Sequence, residues 1–256
     1  MSDREVQDTI ITALADARFR GSPEWIDRRL ADGERVERFA RFLARHFYYE
    51  RVVHFFKYSR ALARVTGRRP DAVLRGDAFE VLLPRVVLGS RETAREVAEL
   101  VVRDQLGADH EAVPYFEDLL RYQEAMMVVE AGPRDWSAGT DPTTPVEAGA
   151  LAQIVEGTTV LELDHDLPAV LPSLLAPWEE PPSAPRRGTT LVVARTPQAR
   201  VSVVKADPVL VGLLREVERP WSARELADRA GLEPSATEAL LRDLAGVGAV
   251  RFSIGS

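Results

Sequence analysis

Three side chains able to bind a metal ion, His46, Glu50 and His54, fall at i, i+4 and i+8 of one helical pattern. Neutral imidazoles and a carboxylate ligate zinc or iron, and an i, i+4 pair on a helix can converge on one ion. Three ligands from a single helix drift apart, however, and no second cluster of histidines or carboxylates completes the set. They read as interface or partly buried polar groups, and no metal ligand is assigned. Asp164-His165-Asp166 places a histidine between two acids, but no nucleophile stands in a recognisable frame around it, so it reads as a turn. The sequence has no glycine-rich phosphate loop, no serine elbow and no readable carboxylate pair. No catalytic residue is assigned. The chain is not expected to be an enzyme.

A denser pattern surrounds those histidines. From Arg35 to Arg69 there are ten Lys or Arg against Glu37 and Glu50 alone, a local charge of +8, together with eight of the eighteen aromatics. Arg35, Arg38, Arg41 and Arg45 step by three or four, which makes a stripe rather than a scatter. Tyrosine and arginine dominate protein interfaces. Arg38, Arg41, Arg45, Tyr48 and Tyr49 are therefore expected at a partner interface whose other side is acidic. Phe39, Phe42, Phe47, Phe55 and Phe56 suit the core of a helical bundle. Aromatics in a positive groove also suit single-stranded nucleic acid, the minor reading.

The elements that carry these residues follow from periodicity. Val6, Ile10, Ile11, Leu14 and Ala17 recur at helical spacing. Ser22-Pro23 opens a short helix, one long helix runs from Glu34 to Val65, and Gly67 and Pro70 end it. Helices over Ala78–Leu83, from Ser90 to Leu106 and from Pro114 to Glu130 complete an all-helical domain, residues 1–131. Residues 132–149 are rich in glycine and proline and read as a linker. A strand at Thr158–Leu163 and a short helix or turn at Leu167–Leu175 open the second domain, residues 150–256. Its core is 188–256. Two β-rich runs, Thr189–Arg195 and Arg200–Lys205, flank the hairpin turn Thr196–Ala199. Asp207-Pro208 starts a helix. Ser222–Glu225 and Ser235–Glu238 are capping boxes that start two more, and Ala249–Phe252 forms a wing. The fold class is α+β, mostly α: a helical domain, then a hairpin with a winged helix-turn-helix.

Composition limits the classes further. The chain of 256 residues is 45% hydrophobic and 29% charged, an ordinary globular balance long enough for one large or two ordinary domains. It has no cysteine, which removes disulfides, thiolate metal sites and thiol nucleophiles and fits a reducing, cytoplasmic setting. No apolar run approaches the roughly 20 residues that span a bilayer, and the charged N-terminus is unlike a signal peptide. The net charge of −7 opposes whole-surface attraction to nucleic acid. A DNA-reading winged helix would put its third helix in the major groove. Here Ser235–Val247 offers Glu238, Arg242 and Asp243, net −1, so nucleic acid is not expected as a partner.

The order strand–strand–helix–helix–helix in TTLVVARTPQARVSVVKADPVLVGLLREVERPWSARELADRAGLEPSATEALLRDLAGVGAVRF resembles the PqqD-like precursor-recognition element. That family holds the leader peptide of ribosomally made, modified peptides (RiPP biosynthesis). The resemblance covers the last quarter of the chain. It implies peptide binding by strand addition along Arg200, Val201, Ser202, Val203, Val204 and Lys205, and against Leu240, Leu241 and Leu244 of the third helix. Those leucines equally suit a core.

The helical half, in LRGDAFEVLLPRVVLGSRETAREVAELVV and VPYFEDLLRYQEAM, resembles the HvfC/BufC partner proteins. With the methanobactin and thiaglutamate partner proteins, these act beside multinuclear non-heme iron oxidative enzymes. The usual Glu-Trp-Ala ending is only loosely matched, as Tyr122-Gln123-Glu124-Ala125. The resemblance implies a non-catalytic subunit in a heterodimer with an iron-dependent modifying enzyme, the iron residing in that enzyme and no cofactor in this chain. A winged-helix transcriptional regulator with a helical effector domain is the alternative.

Overall fold

Hydrophobic residues at helical spacing up to Glu130, and alternating or continuous β-branched runs after Ala150, divide the chain into two kinds of structure. A computed structural model describes residues 3–27, 32–132, 150–196 and 198–254. It is mostly-α α+β, as the pattern requires. Two compact units result, Met1–Met127 with Ser173–Pro181, and Val128–Pro172 with Pro182–Ser256. The division falls within the helix Phe116–Glu130, and nine residues from the later half, Ser173–Pro181, belong with the helical unit. Apart from Gly132, the expected linker lies outside the described residues.

The helical unit contains α1 (Asp3–Ala15), α2 (Ala17–Arg20), α3 (Pro23–Asp27), α4 (Gly33–Phe55), α5 (Lys57–Ala61), α6 (Ala63–Thr66), α7 (Asp77–Leu82), α8 (Arg91–Leu106) and most of α9 (Phe116–Glu130). Short 3-10 segments occupy Pro70–Arg75 and Leu83–Arg85. The helix expected over 34–65 is three helices, interrupted at Phe56 and Leu62. Both interrupting side chains are fully buried. The break frees backbone donors, and Gln123 of α9 satisfies them: its side-chain oxygen accepts from Tyr58 and Ser59 N–H at 3.0 and 3.2 Å. No periodicity argument reveals such a break, because its cause sits 64 residues away. Ser90 does cap α8, accepting from Thr93 N–H at 3.2 Å. Arg64 lies over the Trp178 ring, 3.5 Å from its centroid, and donates to the Trp178 carbonyl.

The second unit holds two three-stranded antiparallel sheets. One has the order β5-β1-β6, from β1 (Ala150–Ile154), β5 (Trp221–Ser222) and β6 (Val250–Ile254). The other has the order β2-β3-β4, from β2 (Thr159–Leu163), β3 (Thr189–Arg195) and β4 (Val201–Ala206). Between them run α10 (Leu167–Leu175), which divides between the units after Pro172, and α11 (Pro208–Glu216), α12 (Ala223–Ala230) and α13 (Pro234–Gly246). Ala152, Val192, Ala194, Leu213, Leu226, Leu241, Leu244 and Val250 form the core between the strands and α11–α13.

The opposite face of β3 is closed as well, with Leu191 and Val193 at 1% and 0% exposure. A strand buried on both faces explains the unbroken apolar run Leu-Val-Val-Ala. Asp207 caps α11 and Ser222–Glu225 forms the expected capping box. The second box is not made. α13 starts at Pro234 with Glu233 as its N-cap, because proline already suits the first helical position. Gly248 (φ +84°) turns the chain into β6, and a Cβ there would lie 2.3 Å from the Arg195 carbonyl oxygen.

Candidate functional site

β3 pairs with β2 on one side and β4 on the other, so the expected hairpin is the inner part of a wider sheet. Among the described residues, β4 has a strand on one side only. Which of its backbone groups point outward follows from one rung. Thr196 N–H donates to Arg200 O at 2.8 Å, making Thr196/Arg200 a hydrogen-bonded pair. Antiparallel pairs alternate, so Ser202, Val204 and Ala206 bond to Ala194, Val192 and Thr190. Val201, Val203 and Lys205 turn their N–H and C=O groups away from β3. Val201 to Val204 are uncharged and half-buried, an edge without the charged side chains that usually protect one.

The single cation of β4 is held back. Asp166 is 4% exposed and accepts from Arg187, while Lys205 Nζ lies 3.4 Å from the same oxygen, Oδ2. The Arg187 hydrogen bond holds the Asp166 carboxyl below the usual carboxylate range, against the opposing effect of burial, and Lys205 adds to it. The turn expected at Asp164-His165-Asp166 is present as a bend, and its last residue is this hub. The sequence marked Asp166 only as part of a turn and gave no sign of Arg187, since their pairing spans 21 residues with no motif.

The third-helix leucines separate. Leu241 and Leu244 are core, at 0% and 1% exposure, and only Leu240 is half-buried, packed against the same cluster as Val204. The other exposed polar groups on α13 include Glu238, Arg242 and Asp243, and the wing strand β6 carries Arg251.

In the helical unit the basic stripe is internally compensated. Arg35 pairs with Asp32 at 3.7 Å, Arg38 with Glu34 at 3.8 Å, Arg41 with Glu37 at 2.6 Å, and Arg45 with Glu80. Arg45 also donates to the Leu74 carbonyl at 2.8 Å, so it ties α4 to the 3-10 segment. Tyr48, expected at an interface, is 1% exposed; its hydroxyl faces the Val87 carbonyl, and burial pushes its pKa up to about 12. Tyr49 is half-buried.

The aromatic residues split in the same way. Phe55 and Phe56 are core and Phe47 is half-buried, while Phe39 and Phe42 are 50% and 61% exposed with stacked rings 6.1 Å apart. His46 stacks on Phe42, and His54 meets Phe55 edge-on. His46, Glu50 and His54 are all exposed rather than partly buried. Among the described residues no group of three or more His, Cys, Asp or Glu could hold a metal ion. None of the described helices is long and apolar enough to cross a membrane. Burial first, and neighbouring Glu99 second, raise the pKa of the Glu124 carboxyl on α9 from its ordinary value.

No protein-family model matches the chain, and no curated protein matches it significantly.

Proposed function

We propose that the chain is a non-catalytic accessory subunit. It captures a ribosomally made precursor peptide and presents it to an iron-dependent peptide-modifying enzyme, with which it forms a heterodimer in the cytoplasm. The observation that carries this reading is the outer edge of β4, where Val201, Val203 and Lys205 direct backbone groups outward, while Val204 packs on the same apolar cluster as the half-buried Leu240. An extended peptide adds to such an edge through main-chain hydrogen bonds, and alternate side chains supply specificity. The exposed Phe39–Phe42 stack, rimmed by Arg38, is the surface of the helical unit best suited to the enzyme. Iron belongs to that enzyme, and this chain needs no cofactor of its own. One chain holding both raises the local concentration of peptide at the enzyme.

The test is native mass spectrometry with metal analysis of the tagged protein purified from its own host. An iron-carrying second protein and a bound peptide are expected. Replacing Val203 by proline removes an outward donor and should release the peptide while retaining the enzyme. A chain that arrives alone, without iron and with nucleic acid, would instead support a winged-helix regulator. The acids on α13 oppose that outcome, since phosphate contact supplies most non-specific DNA affinity.

A further inference from the structure

We propose that the β4 edge selects peptides with aliphatic side chains on one face and a carboxylate on the other, at the end beside Lys205 and Arg187. The inference rests on strand addition at β4 and adds the chemistry of the occupant. A strand paired to β4 alternates its side chains between the two sheet faces. On one face they lie next to Ser202, Val204 and Ala206. Val204 and Ala206 belong to the apolar cluster that includes Leu210 and Leu240, so aliphatic groups fit there. On the other face they lie next to Val201, Val203 and Lys205.

The charge on that second face is unbalanced at one end. Thr190 pairs with Ala206, so Arg187, just before β3, stands at the Lys205 end of the sheet. Both cations turn to one carboxylate, Asp166, which neutralises only one of them. Their side chains remain 68% and 52% exposed, within reach of an arriving group. Asp207, the next acid along the chain, is occupied in capping α11, where it accepts from Leu210 N–H at 2.8 Å. A carboxylate opposite Lys205 gains a cross-strand ion pair, and a lysine or arginine there is repelled.

The probe is a phage-displayed library of short randomised peptides, selected on the immobilised full-length chain. Wild type should enrich peptides with alternating aliphatic residues and an Asp or Glu at one fixed end. Replacing that acid by its amide should weaken binding about fivefold, an effect that fades at high salt. Lys205→Gln removes the charge without setting a second acid beside Asp166 and should abolish the acidic preference, while Lys205→Glu should reverse it. Peptides enriched without an acidic bias, yet lost in Val203→Pro, would overturn this inference and leave strand addition standing. No enrichment, or enrichment that Val203→Pro does not reduce, would overturn both.

Discussion

Gln123 and Ser59, 64 residues apart, are joined by two hydrogen bonds: the glutamine oxygen accepts the Ser59 N–H at 3.2 Å, and its amide donates to Ser59 Oγ at 2.5 Å. Both residues are fully buried, and the same oxygen takes the Tyr58 N–H. One side chain thus closes the helix break after Phe56. Gln123→Leu keeps the volume but leaves two backbone donors unpaired, and should cost about 2–3 kcal/mol. Ser59→Ala keeps both backbone donors paired and removes only the acceptor of one Gln123 amide N–H, and should cost about 1 kcal/mol. Urea titrations followed by circular dichroism would rank the two, and equal costs would refute the capping role of Gln123.

Gly248 combines a left-handed backbone with a close approach to the Arg195 carbonyl. Gly248→Ala meets both the conformational penalty and the clash, so a loss of about 2 kcal/mol or more is expected. Gly231, at φ +65° with open space around it, pays only the first. A chemical denaturation in which Gly231→Ala matches Gly248→Ala would show that the clash relaxes away.

Asp166 makes the second unit acid-sensitive in a defined direction. Its folded pKa is depressed by Arg187 and Lys205, so its ionised form stabilises the fold. That contribution is complete above the unfolded value of about 3.9 and is lost as pH falls through the lower folded value. Asp166→Asn should lower stability at neutral pH and flatten the loss between about pH 4 and the acid limit. Stability curves for the two proteins that stay parallel down to the lowest pH would count against this.

Leu240 and Leu241 are neighbours with different duties. Leu241→Ala empties a fully buried site and should cost about 2–5 kcal/mol. Leu240→Ala, half-buried, should cost less but should weaken peptide capture more. Binding and unfolding measured on both variants would expose the contrast, and a peptide affinity untouched by Leu240→Ala would remove that residue from the site.

Phe42 is 61% exposed, so Phe42→Asp should alter stability by no more than about 0.5 kcal/mol. It should nonetheless abolish co-purification of the modifying enzyme. Retention of the enzyme by Phe42→Asp would move the interface off this face of α4.

The two-part architecture, the hairpin, and the caps at Ser90, Asp207 and Ser222 were legible because each depends on residues within a few positions of one another. What periodicity could not reach was set from a distance. The break after Phe56 depends on Gln123, and the tethering of Lys205 depends on Asp166. The second capping box failed for a local reason, since Pro234 starts α13 before Ser235 can act as a cap. Of the candidate site, the β4 residues were legible in the sequence, but which strand forms the edge was not, because that depends on β2 pairing with β3. The separation of Leu240 from Leu241 and Leu244 needed the packing as well. Tyr48 points inward because it shares a helix face with the buried Ala44 and Val52, so position on the face outweighs residue type.

The pairing of Arg35, Arg38, Arg41 and Arg45 with Asp32, Glu34, Glu37 and Glu80 converts what a linear count calls a strong positive charge into a row of short dipoles. Fields of that kind fade within a few ångströms of the surface, so this face has little power to draw in a partner from solution. Encounter there is expected to proceed at the unsteered rate of about 10⁵–10⁶ per molar per second, almost indifferent to salt. The lifetime of the complex then rests on how well the partner covers the two stacked phenylalanines.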